Sequence, residues 1–81
     1  MKAPPGTYRL STPGAPPSDV VVSPDGNTIT TTFDVLDWMP EQGLYRARRL
    51  SLAMECNGNG SGLAFVGVTP GFVVPMTCVA L

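Results

Sequence analysis

Two runs of the chain concentrate β-branched residues: Asp19-Val20-Val21-Val22-Ser23 and Thr28-Ile29-Thr30-Thr31-Thr32-Phe33-Asp34-Val35-Leu36. Val, Ile and Thr are stiff at the first side-chain torsion and fit a pleated surface, so both runs predict strands. Between them, Pro24-Asp25-Gly26-Asn27 supplies turn chemistry in the right order. Proline fixes φ at the first central position, Asp takes the second, and Gly accepts the left-handed conformation that follows. The expected hairpin sets Val21 near Ile29, with Phe33 and Val35 continuing one apolar face. Thr28, Thr30 and Thr32 form the polar face.

Asp37-Trp38-Met39-Pro40-Glu41-Gln42-Gly43 then reads as a loop carrying the only tryptophan. Residues 44–56 carry two periods at once. Leu44, Ala47, Leu50 and Met54 fit one helical face, whereas Leu50, Leu52, Met54 and Cys56 alternate with Arg49, Ser51, Ala53 and Glu55 at strand spacing. Strand is favoured, because antiparallel pairing through the loop sets Leu36 beside Leu44 and Asp34 beside Arg46, an opposite-charge pair. Asn57-Gly58-Asn59-Gly60-Ser61-Gly62 is turn-rich. Residues 63–69 and 72–80 predict a last hairpin across Pro70-Gly71, with Gly67 and Pro75 marking a bulge or an edge. A Pro-Gly pair favours a type II turn, whose twist opposes a tight hairpin, so a wider connection is expected there.

Residues 1–18 hold five of the nine prolines, Pro4, Pro5, Pro13, Pro16 and Pro17. Such a stretch prefers extended conformations and lacks backbone donors, so it is expected as an arm, with Thr7-Tyr8-Arg9-Leu10-Ser11 as an edge strand inside it. Residues 19–81 then form a single all-β domain. The expected architecture is a small antiparallel β-sandwich or rolled barrel of about six strands with an extended Pro-rich N-terminal arm.

Composition adds one tension. Only 14% of the 81 residues are charged, against about 25% in average soluble proteins. A domain of this size buries only about 60–65% of its unfolded surface, so Thr, Ser, Gly, Pro and apolar groups must cover much of the exterior. Two readings fit: a neutral, Thr-rich surface, or a subunit whose surface is covered by neighbours. With 43% hydrophobic residues and a net charge of −1, a charged disordered chain is excluded. The frequent Gly and Pro exclude long bundles and coiled coils, and the glycines lack the collagen period.

The chain contains no histidine, which removes Ser-His, Cys-His and His-metal arrangements together. The only lysine is Lys2. Asp34 with Asp37, or Asp37 with Glu41, are the remaining carboxylate pairs, and an acid–base pair needs a concave pocket to shift one pKa. Asp25-Gly26-Asn27 and Gly58-Asn59-Gly60-Ser61-Gly62 lack the ligand pattern of calcium or phosphate loops. The expectation is therefore a non-enzyme with no catalytic residue, metal site or cofactor.

The scarce charges are sorted along the chain. Asp19, Asp25, Asp34, Asp37 and Glu41 precede the sole basic cluster, Arg46, Arg48 and Arg49, and Tyr8-Arg9 is a weaker echo of that cluster. Trp, Tyr, Met and Arg are enriched at protein interfaces, which makes Tyr8, Trp38, Met39, Tyr45, Arg46, Arg48 and Arg49 the candidate interface residues. Residues 46–49 are also the one place where single-stranded nucleic acid would bind, although a slightly acidic chain gives a weak electrostatic footprint.

In a flat meander Cys56 and Cys78 lie two strands apart, about 9–10 Å, beyond the reach of a disulfide, so two free buried thiols are expected. Cys78-Val79-Ala80-Leu81 matches the C-a-a-X lipidation pattern literally, yet it continues a β-type run without upstream basic residues, so a terminal strand is the preferred reading. Met1-Lys2-Ala3-Pro4-Pro5-Gly6 has no apolar segment of a secretory signal, which points to a virion or the host-cell cytoplasm. The expected function is a structural subunit that coats, cements or decorates a larger assembly, with a phage virion or capsid as the leading case. Its partners would be copies of itself or a larger shell protein, rather than nucleic acid or a membrane. A small inhibitor, such as a phage protein blocking a host enzyme, is the alternative, and a single-strand nucleic acid binder the third.

Overall fold

The computed structural model describes residues 1–68 and 71–81. Eight strands follow one another: β1 Gly6–Ser11, β2 Ser18–Val22, β3 Thr28–Thr30, β4 Val35–Met39, β5 Leu44–Ala47, β6 Leu52–Cys56, β7 Ser61–Val66 and β8 Phe72–Ala80. Each pairs antiparallel with the next, and β1 pairs with β8 to close a barrel. The described residues contain no helix, so none is long and apolar enough to cross a membrane.

The all-β class agrees with the sequence pattern, but the strand count is eight rather than six. Two segments read as single strands each bend at a corner. Residues 28–36 break at Thr31–Asp34, where the Thr31 hydroxyl accepts hydrogen bonds from the N–H groups of Phe33 and Asp34, at 3.2 and 2.9 Å, and donates to the Asp34 carbonyl at 2.9 Å. Residues 44–56 break between Ala47 and Leu52 and are strand on either side, not helix. The segment expected as an edge strand within residues 1–18 is β1, which has a partner on each side. The expected turn at Pro70 and the end of the strand at Thr69 lie outside the described residues.

The β2–β3 turn forms as its residues dictate. The Gly26 N–H donates to the Ser23 carbonyl at 2.9 Å, and Gly26 takes a φ of +75°. Its register differs by one residue from expectation. Ser23 and Thr28 close a four-residue loop, so Val22 faces Ile29 and Val21 faces Thr30. A one-residue slip exchanges the two faces of a strand: Val20, Val22 and Ile29 point inward, while Val21 and Phe33 are exposed. The β4–β5 register also differs. Leu36 pairs with Ala47, Asp37 with Arg46 and Trp38 with Tyr45, because Trp38 and Met39 extend β4 rather than forming a loop.

The alternation of the chain gives the barrel two unlike ends. The N-terminal segment and the turns 23–27, 40–43 and 57–60 form a floor. Loops 12–17, 31–34 and 48–51, with residues 67–68, surround the opposite mouth. Tyr45 anchors the floor and is fully buried. Its hydroxyl donates to the Gly26 carbonyl at 2.6 Å and accepts from the Ala3 N–H at 3.0 Å, so both sides of the phenol oxygen are satisfied. Trp38 packs beside it with ring centroids 5.0 Å apart, a favourable tilted aromatic pair.

Cys56 and Cys78 form a disulfide, correcting the expectation of free thiols. That expectation took the wall as flat. Here Cys56 lies opposite Gly62 and the Cys78 N–H donates to the Gly60 carbonyl, so glycines occupy the intervening positions around the start of β7. Without side chains between them the outer strands close in, and the two Cα atoms are 5.7 Å apart. A Cβ at Gly62 would meet the Glu55 carbonyl oxygen at 2.5 Å and the Met76 Cε at 3.0 Å, which measures how tight this crossing is.

Candidate functional site

Around the mouth, one carboxylate holds two loops together. Asp34 is buried, its Oδ1 accepting from the Val35 N–H at 2.7 Å and its Oδ2 from the N–H groups of Arg49 and Leu50, each at 3.0 Å. Burial would raise the Asp34 pKa, but the three backbone donors and the nearby Arg49 guanidinium outweigh it and hold the carboxyl below its ordinary range. Arg49 also donates to the Phe33 carbonyl at 2.9 Å, and the Gly67 N–H reaches the Ser51 carbonyl at 2.8 Å. The rim is thus a set of tied corners. Among the described residues, no buried side-chain polar atom lacks a partner.

Inside this rim lies a cavity of about 520 Å³, walled by Leu10, Met54, Ala64, Val74 and Met76 and edged by Phe33. Exposed apolar side chains gather at the same end: Phe33 and Val66 at the cavity edge, and Leu50, Val68 (73% exposed) and Phe72 (76% exposed) beyond it. They continue down the outer wall of the β7–β8 hairpin. There Phe65 faces Val73 and Leu63 faces Pro75, and Val73 and Val79 are about half exposed. From Cys56 to Leu81 the sequence carries no charged side chain. The 72–75 stretch of β8 lies beyond the end of β1, whose pairing stops at Thr77, and Thr12 and Pro13 of the following loop lie beside Pro75 and Met76.

No family model, curated protein or solved structure matches this chain.

The residues singled out in the sequence divide between the two ends. Tyr8 and Tyr45 face the barrel interior, and Tyr8 donates its hydroxyl to the Pro4 carbonyl at 2.7 Å. Trp38 and Met39 are half-buried at the lower end of β4. The arginines stay outside but are mostly engaged. Arg48 grips Asp37 with two bonds of 2.8 and 2.9 Å, holding that carboxyl below its usual range, and Arg49 serves the Asp34 corner. Arg46 is exposed across from Asp37. Arg9 pairs with Asp19 at 2.9 Å, again lowering the aspartate. Charge sorting along the sequence thus becomes cross-strand pairing within one barrel, although not through the expected Asp34–Arg46 pair. The Cys78 sulfur is bonded and buried, which removes the free thiol that lipidation requires. No three His, Cys, Asp or Glu side chains among the described residues converge to hold a metal ion.

The β7–β8 wall escaped sequence reasoning, although the signal was present. A charge-free run ending in two strands of alternating exposure leaves apolar groups outside whichever face turns inward.

Proposed function

We propose that this protein is a non-enzymatic assembly subunit that docks on a protein surface through the uncharged outer wall of its β7–β8 hairpin. One observation carries the reading: Phe65, Val73, Pro75 and Val79 line an outer wall in a segment without a charged side chain, bordered by Glu55 opposite Leu63 and Arg9 opposite Val79. Contiguous exposed apolar surface of this kind marks interaction sites. A disulfide is at home in oxidising surroundings such as extracellular fluid or a particle surface, and the crosslink fits a small subunit exposed there. A phage virion is one such assembly, a reading that rests on the low charge and proline content.

Chemistry weighs against an enzyme. Histidine is absent, both sulfurs are bonded, and Asp19, Asp34 and Asp37 are engaged by arginines or backbone donors. The same engagement weakens the nucleic acid reading, because Arg48 and Arg49 already face carboxylates.

The test is sedimentation of the untagged protein across a wide concentration range, and its partition with particulate material from its source, beside a Val73→Asp/Val79→Asp variant. Concentration-dependent self-association or co-sedimentation that the double variant loses supports the proposal. A strict monomer absent from every particle fraction overturns it, as does a variant retained as well as the wild type. A discrete one-to-one complex with a single soluble enzyme would replace it with the inhibitor reading.

A further inference from the structure

We propose that the mouth of the barrel binds a small, neutral, predominantly apolar molecule bearing one hydrogen-bonding group. This site is separate from the outer hairpin wall and stands or falls independently of it.

An eight-stranded barrel is just wide enough for its own side chains to fill it or for one small ligand to enter. This barrel does both, at different heights. Toward the floor the interior is occupied by Tyr45, Ile29, Leu36 and the disulfide. Toward the mouth the inward positions on the β6–β8 side carry Met54, Ala64, Val74 and Met76, and a cavity of about 520 Å³ remains above them. That lies within the range of about 300–1,000 Å³ seen for small-molecule sites.

The lining defines the chemistry of the occupant. Among the described residues, no charged side chain lines the cavity. A charged ligand would give up its hydration with nothing to replace it, whereas a neutral apolar body gains by leaving water. Its polar lining residues are instead Thr12, Ser18 and Thr32, which carry neutral hydroxyls. One hydroxyl, carbonyl or amide group on the ligand can be met there while its body lies against the apolar β6–β8 wall. Met54 and Met76 have unbranched, polarizable side chains that adapt to ligand shape. Pro13 and Pro16, from the loop between β1 and β2, stand at the cavity edge and restrict the backbone there.

The experiment titrates the full chain with N-phenylnaphthylamine, a neutral apolar fluorophore, following its emission, with anionic anilinonaphthalene sulfonate in parallel. The expected result is saturable one-to-one binding of the neutral probe, tighter than that of the anionic one. Ala64→Phe should weaken it by about tenfold or more by filling the cavity, and Val73→Asp on the outer wall should leave it unchanged. If Ala64→Phe does not fold, methyl NMR of the wild type decides: the Met54 and Met76 methyls should shift on saturation while those of Val73 and Val79 stay still. Absence of saturable binding overturns the proposal. So does unchanged binding to a folded Ala64→Phe, an equal preference for the anionic probe, or shifts confined to the outer wall.

Discussion

The floor and the mouth of this barrel are built from the same eight strands, yet they solve opposite problems. At the floor, large side chains meet and are held by fixed partners: the Tyr45 hydroxyl bridges Ala3 and Gly26, and the disulfide ties β6 to β8 across a pair of glycines. At the mouth, small or flexible side chains leave space, and order comes from backbone hydrogen bonds to one carboxylate, Asp34. Packing and crosslinking are concentrated where the interior is full. The proposed ligand site lies where it is not, in keeping with the general tendency of binding regions to be drawn from the less stable parts of a fold.

Loss of the disulfide should separate the ends most. In a Cys56→Ala/Cys78→Ala variant the unfolded chain regains the freedom of the closed loop, and denaturant unfolding should show a loss of about 3 kcal/mol. Hydrogen exchange should place the new mobility at the ends of β6 and β8 rather than in the Asp34 corner. If exchange rises equally at both ends, the division between them fails.

A sharper comparison uses two inward positions on β7. At Gly62 a new Cβ presses on the Glu55 backbone carbonyl, so Gly62→Ala should cost about 2 kcal/mol through overpacking. At Ala64, one pleat nearer the mouth, Ala64→Val enters open space and should leave stability unchanged or raise it by up to about 1 kcal/mol. Thermal unfolding of the two variants side by side measures the difference directly, and a loss at both positions would mean the mouth is packed as tightly as the floor.

The Asp34 corner predicts a smaller, pH-dependent effect. Its folded-state pKa is lowered, so its stabilising contribution is complete above the ordinary value of 3.8 and disappears as pH falls through the lower folded value. Asp19, Asp25 and Asp37 are shifted in the same direction and add to the same acid limb. Asp34→Asn should therefore flatten the acid limb of the stability curve in part. It should also speed exchange of the Arg49 and Leu50 amides at neutral pH while leaving the Ala3 amide unaffected.

What the sequence revealed, and what it concealed, follows the same geography. The Pro24-Asp25-Gly26 turn was legible because three residues each demand one backbone conformation. The corner at Thr31–Asp34 was not, because neither Gly nor Pro marks it. A Thr hydroxyl and an Asp carboxylate make the break instead, and the Thr-x-x-Asp spacing is the only trace they leave. Leu50 extended a strand alternation across residues 48–51, yet it is exposed at the mouth, and periodicity cannot distinguish an apolar rim from an apolar core. The disulfide was hidden by sheet curvature, which the spacing of Cys56 and Cys78 does not encode. Absence of histidine was readable at once, whereas the cavity was not: it arises from which side chains share a height in the closed barrel, and that depends on register.

The closure of β1 on β8 has a practical corollary. Leu81 donates its N–H to the Thr7 carbonyl, and Ala3 is held beneath Tyr45, so both described termini leave from the floor side. A tether, fluorescent tag or further polypeptide joined at Met1 or Leu81 would project away from the cavity. Attached to a bead or a particle by either end, the barrel would stand with its open end toward solution, the orientation wanted for capture or display.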